Sequence, residues 1–148
     1  AKDLGADIGV NYTEEDWVEQ VKEATGGEGV QIVLEMAGGE IARRSLECLT
    51  PFDGRMVVFG AAGGKPASFS GSELMARNVA VIGYWLAPYM RHPERIAPAI
   101  QALMQYLTSG RLRLIVGARF PLAEAAAAQR ALGERKTTGK VVLEVAQH

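Results

Sequence analysis

The residues of this sequence best placed to do chemistry are glycines at the ends of apolar runs. They lie in Met36-Ala37-Gly38-Gly39, Phe59-Gly60-Ala61-Ala62-Gly63-Gly64 and Gly83-Tyr84-Trp85-Leu86. A glycine at a strand end lets the backbone approach a ligand with no Cβ in the way, and the helix that follows offers unpaired amides. Each such turn alone also reads as an ordinary loop; together on one rim they read as a ligand ledge. The phosphate fingerprint G-x-G-x-x-G is absent from the sequence, so these residues define no pyrophosphate site. Trp17 and Trp85 suit ordinary packing, although an aromatic just after Gly83 is well placed to lie against a planar ligand.

Other reactive side chains form no constellation. Asp16, Glu35 and Glu47 have no spacing that suggests paired acid and base, and they read as a solvated helix face or strand end. Ser68, Ser70 and Ser72 lack a nearby histidine, because His92 precedes Pro93 at a helix start and His148 is terminal. Cys48 reads as a small core residue on the apolar side of a helix. Arg135 and Lys136, with Lys140 beside Gly139, make a small basic patch that is either a solvated loop or an anion contact. No catalytic residue and no metal ligand is assigned; 2 histidines and 1 cysteine leave no zinc cluster.

The elements that must position the glycine turns follow from periodicity. With 148 residues, 48% hydrophobic and 22% charged, the chain can bury a core and is not a disordered segment. A net charge of −1 provides no basic field for nucleic acid, and no stretch reads as a membrane span. A single cysteine and no apolar leader make the cytoplasm the expected compartment. Residues 1–7 read as the last turn of a helix closed by Gly5, so the sequence starts inside an element. A short strand over 8–10 follows, then a helix over 14–24 capped by Thr13 and stopped by Gly26-Gly27. β-Branched runs at 30–36, 55–59 and 79–85 predict strands covered on both faces, with helices over 40–49 and 72–76 between them. A long helix from Pro93 carries the stripe Ile96, Ile100, Leu103, Met104 and Leu107, and Pro98 should bend it or shift its start. A strand over 114–120, an alanine-rich helix over 122–132 and a strand over 141–145 complete the chain. Alternating strands and helices of this kind specify an α/β fold: a doubly wound, mostly parallel, Rossmann-like sheet flanked by helices, with ligands outside the carboxyl ends of the strands.

Read together and in order, Leu4-Gly5-Ala6-Asp7, Asn11-Tyr12, the runs 33–39 and 54–60, Gly83-Tyr84-Trp85-Leu86, and Thr138-Gly139-Lys140-Val141-Val142-Leu143 resemble the zinc-containing alcohol dehydrogenase superfamily, most of all its quinone oxidoreductase branch. The resemblance covers essentially the whole chain. It implies an NADPH-dependent reductase that passes hydride to a quinone or another conjugated carbonyl, usually without zinc. Tyr12 would lie near the adenosine ribose or its 2′-phosphate, and Gly38 where the cofactor crosses the rim. Phe59, Gly60 and Ala61 would pass beside the nicotinamide ribose. Tyr84 and Trp85, next to Gly83, would border the carboxamide, and Arg135 would reach a cofactor phosphate. The strand 79–85, from Val79 to Trp85, would be the edge that pairs with its twin in a homodimer.

The resemblance also implies what is missing. In the family's strand order 3-2-1-4-5-6 the chain would hold strands 3, 4, 5 and 6 and lack 1 and 2, together with the glycine fingerprint and the N-terminal catalytic domain. Strand 8–10 would then be displaced, swapped or completed by other material. The expected organisation is an incomplete dinucleotide-binding domain over 1–110 and a segment over 111–148 that returns toward the catalytic domain. Such a fragment should show no turnover alone. A zinc alcohol dehydrogenase or enoyl reductase fragment, and a non-catalytic nucleotide-binding or dimerisation module, remain open alternatives.

Overall fold

Three apolar runs end on glycine or just before one, and in the structure they become strands β1 (Ile32–Glu35), β2 (Arg55–Val58) and β3 (Ala80–Gly83). The computed structural model describes residues 2–145. These fall into two compact units divided between Arg91 and His92. In the first unit the strands form one parallel sheet in the order β1-β2-β3. Their ends are in register: Glu35 faces Val58, and Val58 faces Gly83. Parallel direction and shared register send the three glycine-bearing turns out along one rim, as the sequence predicts.

Helices α1 (Trp17–Ala24), α2 (Gly39–Glu47), α3 (Gly71–Arg77) and α4 (Leu86–Tyr89) complete this unit. Its core is built where Val33, Met56, Val58 and Val81 meet Leu46, Leu49 and Leu74. Leu49 and Met56 are essentially sealed from solvent, and full burial of a side chain of that size contributes about 1.5–3 kcal/mol. A second cluster joins Trp17 and Val18 to Cys48. Cys48 is therefore a core residue, and burial pushes its thiol pKa up.

Among the described residues the strands are covered on one face and not on both. Leu34 pairs with Val57 and Val57 with Ile82, which puts these three on the side opposite the core; Leu34 stays 69% exposed and Ile82 48%. A run that is apolar at every position cannot say which of its faces acquires a cover. The expected strand over 8–10 does not form. With no neighbour to take its amides and carbonyls, a lone extended segment gains nothing from strand geometry. Residues 2–4 make a single 3-10 turn closed by Gly5 at φ +100°.

Helix α1 starts at Trp17, three residues later than expected from Glu14. Asn11 is the reason: its Oδ1 accepts from the Thr13 backbone N–H at 3.2 Å and from the Thr13 hydroxyl at 2.8 Å. The intended cap is thereby tied into a local turn. Helix α3 extends beyond 72–76 because Ser70 and Glu73 form a reciprocal capping box.

In the second unit α5 (Pro93–Thr108) begins at Pro93 and stays helical through Pro98, so its start is not shifted. Pro98 deprives the Glu94 carbonyl of a partner at an exposed turn, where water can take its place. Strands β4 (Val116–Pro121) and β5 (Lys140–Glu144) pair in parallel, with α6 (Ala125–Gly133) between them in sequence and packed on both. Gly117 is obligatory here, since a Cβ would sit 1.4 Å from the Thr138 carbonyl oxygen.

Candidate cofactor site

The rim of the first sheet is stiffened by hydrogen bonds that continue the ladder past the strand ends. Phe59 N–H donates to the Glu35 carbonyl at 3.0 Å, and Tyr84 N–H donates to the Val58 carbonyl at 2.9 Å. The second and third turns thus leave the sheet side by side. Between them lies a groove of about 470 Å³ lined by Val58, Phe59, Gly60, Gly83, Tyr84 and Trp85. Five of the residues expected at a cofactor site meet in it. A Cβ at Gly83 would find open space, so packing does not demand glycine there; what its absence leaves is room in the groove. Trp85 is 73% exposed on the groove wall. Tyr84 leans on Tyr89, with ring centroids 4.9 Å apart and planes tilted by 35°. The lining is flat, largely apolar and free of carboxylate, imidazole or thiol. Its aromatic faces can lie against a planar ring, and the Tyr84 hydroxyl and the Trp85 indole N–H are its side-chain hydrogen-bonding groups.

The first turn is docked on the second. Gly63 N–H donates to the Ala37 carbonyl and Ala62 N–H to the Met36 carbonyl, both at 2.8 Å. Gly38, at φ +78° and ψ −171°, is buried so closely that a Cβ would lie 2.1 Å from the Lys65 carbonyl oxygen and 3.2 Å from the Ala61 Cα. Gly38 and Ala61 therefore meet at this loop contact, beside the groove.

Glu35 is not the solvated strand end that its position in the sequence suggests. It is 4% exposed. One carboxylate oxygen accepts from the Ala37 and Gly38 backbone N–H groups at 2.5 and 2.8 Å, and the other accepts from the Ser45 hydroxyl at 3.2 Å. The available signal was an acid two and three residues ahead of a turn whose amides need acceptors.

Two expected site residues lie elsewhere. Tyr12 borders a different cavity of about 290 Å³, whose walls include Trp17, Glu35 and Ser45. Arg135 belongs to the second unit, where it adopts φ +56° just beyond α6 and donates its N–H to the Leu132 carbonyl at 3.1 Å. Among the described residues no group of His, Cys, Asp and Glu is arranged to hold a metal ion, and no helix is long and apolar enough to cross a membrane.

A parallel sheet whose glycine turns leave along one carboxyl rim is a Rossmann-like arrangement, the rim being where such folds take their ligands. The zinc-binding dehydrogenase family profile matches residues 4–143, and the chain belongs to that family. It is 35% identical to the bovine quinone oxidoreductase-like protein 2 over 97% of this chain and 41% of that protein. It is 33% identical to a 2-haloacrylate reductase from a Burkholderia species, over 97% of this chain and 43% of that protein. Among solved structures, a mycobacterial protein complexed with NADPH matches with a TM-score of 0.85 at 35% identity, over 96% of this chain and 45% of that one. The Escherichia coli quinone oxidoreductase complexed with NADPH matches with a TM-score of 0.79 at 33% identity, over 90% of this chain and 41% of that one. The chain spans less than half the length of these relatives.

Proposed function

We propose that the protein to which this chain belongs is an NADPH-dependent oxidoreductase that passes hydride to a quinone or another conjugated carbonyl, and that this chain supplies part of its cofactor domain. The observation that carries the reading is the aromatic groove at the β2 and β3 exits, open at Gly83 and lined by Phe59, Gly60, Tyr84 and Trp85. Its shape fits a nicotinamide ring; the hydride comes from that ring when NADPH is bound. In this reading Trp85 and Tyr84 orient the ring from the β3 side, while Phe59, Gly60 and Ala61 follow the adjoining ribose. Gly38 lies where the cofactor crosses toward its adenosine end, with Tyr12 near the adenosine ribose or its 2′-phosphate and Arg135 contacting a phosphate. Similarity to quinone oxidoreductases and a haloacrylate reductase supports a conjugated acceptor.

Residues 1–110 would serve as the dinucleotide-binding part, with 111–148 returning toward a catalytic domain. Among the described residues strand β3 has a neighbour on one side only, which suits pairing with its twin in a homodimer through residues 79–85. Residues 1–148 carry no glycine fingerprint for a pyrophosphate, and the groove holds no acid or base beyond the Tyr84 hydroxyl, so on their own they should bind weakly and not turn over.

Titration of the full-length protein with NADPH, followed by tryptophan quenching, tests the reading. Saturable binding in the micromolar range or tighter, about −8 kcal/mol, is expected. Gly83→Val fills the groove from open space and should raise the dissociation constant roughly tenfold or more while leaving the melting temperature unchanged. No saturable binding by the wild type would refute the cofactor assignment; wild-type affinity in Gly83→Val would refute the groove.

A further inference from the structure

We propose that Glu35 is a positioning residue for the cofactor, acting through the backbone of the first rim turn; this rests on the function proposed above. The physical problem is a buried carboxylate, which persists only if its oxygens are supplied with donors. Glu35 has three, and two of them are the consecutive amides of Ala37 and Gly38. Those amides stand just ahead of α2, where no helical carbonyl is available to them. The carboxylate therefore occupies the place that a ligand anion would take at a helix start, so this turn is closed to phosphate and its conformation is fixed internally.

That conformation is the extended, left-handed φ and ψ of Gly38, which brings the turn within backbone contact of residues 61–65. Residues 61–65 follow directly from Phe59 and Gly60 in the groove wall. Glu35 is thus connected to the groove through two docked turns: its side chain sets Gly38, Gly38 seats against Ala61 and Lys65, and the paired turns hold Gly60 against the Met36 backbone, where a Cβ on Gly60 would lie 3.2 Å from the Met36 carbonyl oxygen. Ser45, in the last turn of α2, ties the other carboxylate oxygen to the helix and fixes the side chain's direction.

The proposal predicts that the shape and acceptor atoms of this side chain matter more than its charge. In Glu35→Gln the amide oxygen can still accept both backbone N–H groups, and the amide nitrogen can donate to the Ser45 hydroxyl. Glu35→Ala removes all three bonds. In the full-length protein Glu35→Ala should raise the NADPH dissociation constant by about tenfold to a hundredfold, because the rim turns then have to be ordered by the ligand. Glu35→Gln should recover the affinity to within roughly threefold of wild type. Amide hydrogen exchange supplies a second readout: the Ala37 and Gly38 amides should lose protection in Glu35→Ala and keep it in Glu35→Gln.

Should Glu35→Ala fail to fold, Glu35→Asp takes its place, since it keeps the charge but shortens the reach by one methylene; weaker binding than in Glu35→Gln is then expected. Equal loss in Glu35→Gln and Glu35→Ala would overturn the proposal in favour of charge. Wild-type affinity in Glu35→Ala, or in Glu35→Asp where that variant replaces it, would overturn it outright. Absence of NADPH binding by the wild-type protein would instead strike the underlying functional reading.

Discussion

Replacing Gly38 by alanine probes the docking of the two rim turns directly. At φ +78° and ψ −171° the backbone occupies a region essentially reserved for glycine, and a Cβ there costs about 1–3 kcal/mol in conformational strain. The new methyl would also stand 2.1 Å from the Lys65 carbonyl oxygen. Ordinary contact needs about 3.4 Å or more, so the 61–65 turn must retreat by more than 1 Å. The two hydrogen bonds that join the turns, Gly63 to Ala37 and Ala62 to Met36, would then stretch or break, at about 0.5–1.5 kcal/mol each. The sum is a loss of about 2–6 kcal/mol. Urea unfolding monitored by circular dichroism measures it, with two alanine substitutions as internal controls. Gly64 has positive φ but open space around its Cβ position, so Gly64→Ala should cost only the conformational part, about 1 kcal/mol. Gly71 has open space and no positive φ, and Gly71→Ala in the first turn of α3 should be neutral or stabilising by about 0.5 kcal/mol. A Gly38→Ala loss below about 1 kcal/mol, or equal to that of Gly64→Ala, would refute the reasoning that packing and strain act together at this turn.

Ser70→Ala should destabilise the protein by about 0.5–2 kcal/mol through loss of the α3 cap, read from the same urea curves. The Ser70 backbone N–H and then its hydroxyl hold the Glu73 carboxyl below the usual carboxylate range. A depressed folded-state value contributes stability that is present above the unfolded pKa and is lost as pH falls through the folded one. The melting temperature should therefore drop as pH is lowered below about 4.5, and more steeply in wild type than in Ser70→Ala. Cys48, buried and with its thiol pKa raised by burial, should react with iodoacetamide at pH 8 roughly tenfold or more slowly in the native protein than in urea. Mass spectrometry of the labelled chain checks this, and equal rates would count against the burial.

The rim was legible because it depends on local signals: β-branched runs that fold as parallel strands, each closing on or just ahead of glycine. The corrections arise where a competing partner decides. Thr13 looks like a helix cap until Asn11 takes both its N–H and its hydroxyl. Residues 8–10 have strand composition, yet a strand exists only through its neighbours. Glu35 reads as a polar strand end because its partner Ser45 lies ten residues further on, and only the fold of β1 against α2 brings them together. The Ser70 and Glu73 capping box was present in the sequence as S-x-x-E and marks the start of α3 earlier than apolar spacing alone suggests.

The uncovered side of the first sheet has a practical outcome for anyone handling residues 1–91 in isolation. Leu34 and Ile82 flank Val57 on a pleated surface that water wets poorly, and surfaces of that character are adhesive. Clumping and dye uptake are the expected signs of this face. A lysine in place of Leu34, whose side chain already projects outward, is the simplest remedy, because it adds repulsion without entering the core.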